Sequence, residues 1–477
     1  MNEERDGMLK KTVQVARRTW GWVEERTGIG AAIKPLAEHP VPPGTNWWYV
    51  FGSATLFAFI VQAVTGAALA SVYTSSSGDA YESLRFITED AFMGNLLRGI
   101  HFWGASAMVL LVGIHMMRVF LTGAYKFPRE FNWLTGSFLL LLTVAMGFTG
   151  QLLRWDQNAV WTVVVGAEQA GRAPLIGTLL GRFLLAGETI GGATLSRFFS
   201  FHVFMIPGIL IGLIGIHIFL VVRNGVSEPP KPGQIVNPKT YRQRYKEMLQ
   251  RVGVPFWPDV AWRDVVFGFL VVVVIVLLAL IFGPPALTQP PDPSIIQAEP
   301  RPDWYLLWYF AVLALIPPAL EPYVIIGAPL LFGLALILLP LLANRGERHP
   351  FRRPWAMATA LIAVMMIGIL WYLATRAPWS PDFNARPLDP QQVGAESGPI
   401  WQGSQLFAVK GCQYCHSIDG QGGQRGPDLT AVGDRLSEEQ ITIRILNGAN
   451  NMPAYGGNIS SGEVNLLVQF LASRHGP

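Results

Sequence analysis

His101-Phe-Trp-Gly-Ala-Ser-Ala-Met-Val-Leu-Leu-Val-Gly-Ile-His115 is the stretch that decides the fold. It is apolar between its ends and carries an imidazole at each of them. An α-helix turns about 100° per residue, so this 14-residue spacing leaves the two rings about 40° apart on one face and about 21 Å apart along the axis. A second apolar stretch repeats the device with His202 and His217, whose 15-residue spacing leaves about 60° and about 22 Å. Only eight histidines exist in the chain, and half of them sit in these two segments. A lone imidazole in an apolar helix is often a packed core residue, but ionisable groups inside a bilayer usually mark function. Two pairs make two stacked bis-histidine sites, His101 with His202 and His115 with His217, suited to two b-type haems.

The neighbouring apolar segments keep the same period. Gly52 and Gly66 lie 14 residues apart, as do Gly136 and Gly150. Glycine is common in membrane helices for close packing, yet in register with the histidines it predicts walls against which a flat macrocycle can lie. Arg98, Arg118, Arg197 and Arg223 stand near helix ends. They are placed to pair with haem propionates, and a cation at a helix end also snorkels to the interface with no further role.

Composition widens the reading to the whole chain. Among 477 residues, 14% are charged, against roughly 25% in an average soluble domain, while 51% are apolar and mean hydropathy is +0.33. This excludes a disordered chain, a collagen-like repeat and a disulfide scaffold. A net charge of +4 is spread along the chain rather than gathered in one patch, so nucleic acid is not an expected partner. Spanning roughly 30 Å of hydrocarbon takes about 20 residues. Seven runs qualify, at about 47–71, 100–121, 134–153, 199–222, 264–283, 322–343 and 355–375. The expected fold is all-α, a polytopic membrane bundle with a haem-binding four-helix core, followed by a small soluble all-α domain.

Charge asymmetry orients the bundle. Twenty-two Lys and Arg residues fall on the side of the N-terminus and seven in the three intervening loops, which makes the N-terminus cytoplasmic and the C-terminus extracytoplasmic. Residues 1–45 lack the apolar core of a cleavable signal. Met8–Thr27, with Trp20 and Trp22 among basic residues, reads as an interfacial helix or a solvated tail. The expected divisions are the N-terminal segment 1–45, a four-helix unit 46–225, a three-helix unit 226–376, a Pro/Gly-rich linker 377–398 and a soluble domain 399–477.

That last domain is small for an apolar core alone. It contains the chain's only cysteines, in Cys412-Gln-Tyr-Cys415-His416. CxxCH is the attachment motif of a c-type haem, with two thioethers and an axial histidine. A zinc site would need a fourth ligand, for which only His475 is near in sequence. Met452 is the one methionine after the motif, and His/Met ligation favours a high potential; His475 is its competitor. Haem c is attached outside the cytoplasm, on the side that the charge count gives this domain independently.

Over nearly all of its first 376 residues the chain resembles cytochrome b of the cytochrome bc complexes. The likeness is carried by Val41-Pro42-Pro43, Arg98-Gly-Ile-His101, Trp155-Asp156-Gln157, Ser196-Arg197-Phe198 and the histidine ladder. Pro302-Asp303-Trp304-Tyr305 stands where the family has its quinol-site motif, and Pro350-Phe351-Arg352-Arg353-Pro354 matches the small subunit of the split type. The 15-residue spacing is similar to the split plastid and Gram-positive version, whose two pieces are joined here. The C-terminal domain looks like a class I cytochrome c, fused where the family has a separate subunit. Split-type relatives usually carry a cysteine for a third membrane haem; Val50 stands there, so no such thioether is expected.

The resemblance implies a quinol:cytochrome c oxidoreductase subunit in a prokaryotic cytoplasmic membrane, working by a Q-cycle. Asp303 would accept a quinol proton and Tyr305 would orient the ring. One electron would go to a separate Rieske iron–sulfur protein and on to the His416/Met452 haem. The other would cross by the His101/His202 and His115/His217 haems. Asp303 in place of the usual glutamate points to menaquinol. The acceptor would be a soluble or membrane-bound cytochrome c or an oxidase, and the complex a homodimer in contact with lipid. The competing reading is a non-bifurcating electron conduit between a quinone pool and a partner dehydrogenase or reductase, which would not need Asp303 or a second quinone site.

Overall fold

The computed structural model describes residues 2–292, 302–317, 320–376, 382, 385–424, 426–448, 452 and 454–476. Part of the fifth–sixth connection, most of the first half of the linker, and Asn451 and Pro453 beside Met452 lie outside the described residues.

An apolar run in lipid must satisfy its own backbone, which leaves the α-helix as the default. Among the described residues, seven helices are long and apolar enough to cross a membrane: Phe51–Ala70, Gly94–Leu121, Glu130–Leu152, Gly192–Asn224, Ala261–Phe282, Glu321–Leu342 and Pro354–Thr375. Strand is confined, among the described residues, to three two-stranded antiparallel pairs, so the fold is all-α as expected. The first span packs on the second and the third on the fourth, while the fifth lies against the first two. Gly99 makes the approach of the fifth span possible, since a Cβ there would stand 3.1 Å from the Cβ of Ala279.

The fourth span is not a uniform helix. Phe201–Met205, which includes His202, is a π turn, and α-helix resumes at Ile206 with Pro207 in its first turn. Proline has no N–H to return to the preceding turn, and a π turn absorbs one extra residue within an α-helix. Taking up that residue cancels about 100° of rotation. The 15-residue His202–His217 spacing therefore presents its rings at nearly the phase of the 14-residue His101–His115 spacing.

The connections hold helices that hydropathy alone did not reveal. Ala80–Glu89, Gln157–Gly171 and Gly177–Leu185 occupy the first–second and third–fourth connections, and Leu307–Leu315 packs against the seventh span. Asp156, wholly buried, caps the Gln157 helix by accepting from Ala159 N at 2.8 Å and also accepts from Thr288 N at 3.2 Å. The Gln157 side chain accepts from Asp292 N at 2.7 Å and donates to Asp292 O at 3.0 Å. Trp155-Asp156-Gln157 thus pins the start of the connection that leads to Asp303.

On the face expected to be cytoplasmic, four of the basic residues counted for orientation are buried: Lys126, Arg129, Arg348 and Arg353. Arg348 pairs with Glu228 at 3.1 Å, Tyr241 donates to Glu228 at 2.6 Å, and Arg129 donates to Tyr241 at 2.8 Å. Arg353 donates to Phe120 O and to the Tyr125 hydroxyl, and Lys126 donates to Arg345 O. These side chains knot together the second–third, fourth–fifth and sixth–seventh connections.

The N-terminal segment forms a helix, Asn2–Thr27, on which Trp20 and Trp22 are exposed. In the C-terminal domain, Gly398–Val409 crosses Ser461–Ala472 around Phe407 and Phe470, whose ring centroids are 5.8 Å apart. Ser437 with Gln440 and Ser460 with Glu463 form capping boxes at two helix starts, each satisfying two otherwise orphaned donors.

Candidate haem and quinol sites

The packing of the second span against the first, and of the fourth against the third, brings the histidines together across the bundle. The His101 and His202 rings face each other with centroids 6.2 Å apart and planes at 77°. A metal–imidazole bond is about 2 Å long, so two imidazoles sharing one metal put their ring centres about 6 Å apart. The pair fits one iron between them. His115 lies close enough to His217 to interact with it electrostatically, about four helical turns along from His101.

Each imidazole leans on one of the periodic glycines. A Cβ on Gly66 would stand 3.1 Å from His101 Cε1, and one on Gly150 only 2.6 Å from His202 Cε1. For the other pair, Gly52 gives 3.0 Å to His115 Cε1 and Gly136 gives 3.4 Å to His217 Cε1. The sequence reading assigned these glycines to the faces of a macrocycle. What each touches in the structure is a histidine edge, because a missing Cβ lets the ring back against the adjacent helix.

A contact not foreseen from the sequence accompanies three of the four. Thr65 Oγ1 lies 2.9 Å from His101 Nδ1, Thr135 Oγ1 2.8 Å from His217 Nδ1, and Thr149 Oγ1 3.2 Å from His202 Nδ1. The dipeptides Thr65-Gly66, Thr135-Gly136 and Thr149-Gly150 were the available signal. Also unforeseen is Asp264, whose carboxylate accepts from Ser53 Oγ at 2.6 Å beside Gly52.

The four arginines considered for propionates differ. Arg118 lies 3.6 Å over the Tyr49 ring centre, and its Nε and one terminal nitrogen are buried with no hydrogen-bond partner among the described residues. It is equipped for an anionic group from outside the chain. Arg98 already donates to Thr88 Oγ1 at 3.1 Å and Pro285 O at 2.8 Å, and Arg197 donates to Phe183 O. Arg223 is exposed.

Asp303 and Tyr305 meet: the tyrosine hydroxyl donates to Asp303 Oδ2 at 3.0 Å. Burial raises the Asp303 carboxyl above its ordinary range, offset only in part by Tyr305 and Arg154. Burial and then Asp303 raise the Tyr305 hydroxyl in turn. The following helix starts at Leu307 with Leu306 at its N-cap and no side-chain cap, so Asp303 does not serve as a helix cap. Trp304 donates to Ser106 Oγ at 3.3 Å.

In the C-terminal domain Cys412–Cys415 is a single helical turn, and His416 follows it. His416 Nδ1 is 2.8 Å from Pro427 O, which makes Nδ1 the protonated nitrogen and leaves Nε2 for a metal. Cys412, His416 and Met452 line one apolar cavity with Phe407, Leu429, Ile445, Tyr455, Leu467 and Leu471. His475 is instead 60% exposed and bound to Asp434 at 2.6 Å. The CxxCH thiols, with His416, Met452 and the apolar lining, fit a covalently held haem.

Comparison with known proteins accords with this arrangement. Residues 36–225 match the family described as cytochrome b/b6/petB, and residues 290–384 match cytochrome b(C-terminal)/b6/petD. Cytochrome b6 of Heliobacterium mobile is 42% identical over 210 residues, covering 44% of this chain and 99% of that protein. The chain belongs to the cytochrome b/b6 family. The cytochrome b subunit of menaquinol:cytochrome c reductase from Geobacillus thermodenitrificans is 38% identical over 221 residues, covering 44% of this chain and 98% of its own length. A solved hyperthermophilic respiratory Complex III chain superimposes with a TM-score of 0.64 at 27% identity, over 78% of this chain and 92% of that one. This member of the cytochrome b/b6 family carries a further domain, since residues 399–471 match the family of cbb3-type cytochrome c oxidase subunit III.

Proposed function

We propose that the chain is the haem-bearing core of a menaquinol:cytochrome c reductase, with the divisions 46–225, 226–376 and 399–477 as functional units. What carries the reading is the pairing of four histidines, each backed by a glycine, within a cytochrome b/b6 chain that also holds a CxxCH domain. His101 with His202 and His115 with His217 would each hold a b haem, with Arg118 as the propionate partner. Cys412, Cys415, His416 and Met452 would hold haem c. When bound, these groups supply reversible one-electron carriage.

The chain's own residues handle binding and protons. Asp303, kept basic by its raised pKa, takes a proton from quinol at the extracytoplasmic end, and Tyr305 holds the carboxylate in position. The histidine pairs would hold haems able to take one electron of quinol inward, and a separate Rieske protein would take the other outward. Asp264 stands at the inner end, where quinone reduction needs a proton. The relative from Geobacillus thermodenitrificans, named for menaquinol, supports that quinone class. The N-terminus is cytoplasmic and the C-terminal domain extracytoplasmic, in a prokaryotic membrane and a dimeric complex. A non-bifurcating conduit would give no reason for a half-buried carboxyl paired with Tyr305.

The test is a haemochrome spectrum of the purified protein. Two b haems to one c haem are expected, with a single covalent haem on peroxidase-stained gels. A second covalent haem in residues 1–376 would contradict the assignment of Val50 as a position without a thioether. For the C-terminal domain, Met452→His is expected to retain the haem and lower its midpoint potential, since imidazole favours ferric iron more than a thioether does. An unchanged potential on redox titration would remove Met452 from the ligand set.

A further inference from the structure

We propose that Thr65, Thr135 and Thr149 are positioning residues that lock the tautomer and ring orientation of His101, His217 and His202, and thereby set the potentials of the two b haems unequally. The inference rests on the haem-ligand reading above and assigns a role to three residues that the reading leaves idle.

Each threonine makes the same pair of contacts. Its hydroxyl donates to the carbonyl four residues earlier: Thr65 to Val61 at 2.6 Å, Thr135 to Phe131 at 2.9 Å and Thr149 to Ala145 at 2.9 Å. A hydroxyl has one proton and two acceptor lone pairs. With the proton given to the helix, the oxygen can only accept toward the imidazole, so Nδ1 must carry the hydrogen. That leaves the Nε2 lone pair bare and aimed away from the threonine. A hydrogen bond from Nδ1–H also raises the basicity of the ligating nitrogen, which favours ferric over ferrous iron.

The arrangement is broken at one place. The residue before Gly52, which backs His115, is Phe51, and it has no hydroxyl. The His101/His202 pair thus has two threonine locks and the His115/His217 pair has one. His202 also lies within hydrogen-bonding reach of the Met146 carbonyl. Thr65→Val is therefore the cleaner variant for its pair and Thr135→Val for the other.

The experiment is optical potentiometry on the full chain in membranes, comparing Thr65→Val, Thr135→Val and the corresponding serine variants. Valine preserves shape and removes the oxygen. Each valine variant is expected to raise one midpoint only, and the two variants should move different haems. Loss of such an outer partner typically changes a metal site by about 10–100-fold; about tenfold in oxidation-state preference reads as 59 mV for one electron. Serine, which keeps the hydroxyl and lacks the methyl, should restore the native midpoint. If valine expels the haem and serine keeps it, the hydroxyl is again the cause. If both expel it, the methyl packing matters and the proposal falls. Two intact b haems whose midpoints ignore the valine variants would overturn this inference alone. Absence of b haem from the unaltered protein would overturn the ligand reading and this inference with it.

Discussion

Asp303→Asn is expected to lower steady-state quinol oxidation by about 10²–10⁴, or roughly 3–5 kcal/mol, the typical loss when a positioned general base is removed. Asparagine nearly preserves the size of the side chain and can still accept from the Tyr305 hydroxyl, which donates to Asp303 at 3.0 Å. Haem content should stay normal, and reduction of the b haems from the proposed inner quinone site should survive. The pH profile adds a second signature. Burial raises the Asp303 carboxyl, so in the native protein the rate should be lost as pH falls through a value above the ordinary carboxylate range. The asparagine variant should show its low rate without that acid limb. Because no helix starts on the Asp303 side chain, little change in melting is expected. Turnover within a factor of about three of the native rate, set against the 10²-fold scale of base loss, would sink the assignment.

Glu228→Ala is expected to cost about 3–5 kcal/mol of stability, the usual result of leaving a buried partner charge uncompensated. Arg348 is only 2% exposed and lies 3.1 Å from Glu228, so it cannot turn to water when the carboxylate is removed. Burial alone would raise the Glu228 pKa, but Arg348, Tyr241 and Arg129 together outweigh it and bring it below the ordinary value. A depressed carboxyl contributes stability that is present above its unfolded value, near 4.5, and is lost as pH falls through the folded one. Acid scans of the detergent-solubilised protein should show that loss in the native chain and not in the variant. Removing both charges, as in Glu228→Ala with Arg348→Met, should recover most of the stability, because a buried pair replaced by apolar groups is often neutral. A single-variant cost below about 1 kcal/mol would reduce the contact to the rank of a surface ion pair.

Much of this molecule was legible in single segments. The seven spans follow from apolar length, and the two histidine pairs follow from helical phase and depth. The haem c motif is a covalent signature that needs no fold to be read. Other features were written in the sequence but silent there. Pro207 was visible, yet that the turn before it would widen and absorb the extra residue between His202 and His217 depended on the packed helix. Thr-Gly dipeptides recur beside the glycine period, but a hydroxyl in a helix usually bonds only its own backbone. Its second contact exists only because another span delivers an imidazole.

Tertiary structure alone decided which polar groups met. Arg98, a propionate candidate by position, is engaged by Thr88 and Pro285, whereas Arg118 keeps two buried nitrogens with no hydrogen-bond partner among the described residues. Arg348 and Arg353 entered the sequence reading only as loop charges that orient the bundle, and the structure buries them in a knot with Glu228 and Tyr125. Hydropathy, helical phase and a CxxCH motif are properties of one segment, so the chain by itself determined the spans, the histidine layers and the C-terminal haem motif. The partner of a charge or a hydroxyl lies tens of positions away, as with Thr65 and His101, or 120 away, as with Glu228 and Arg348, and no local period records which groups packing brings together.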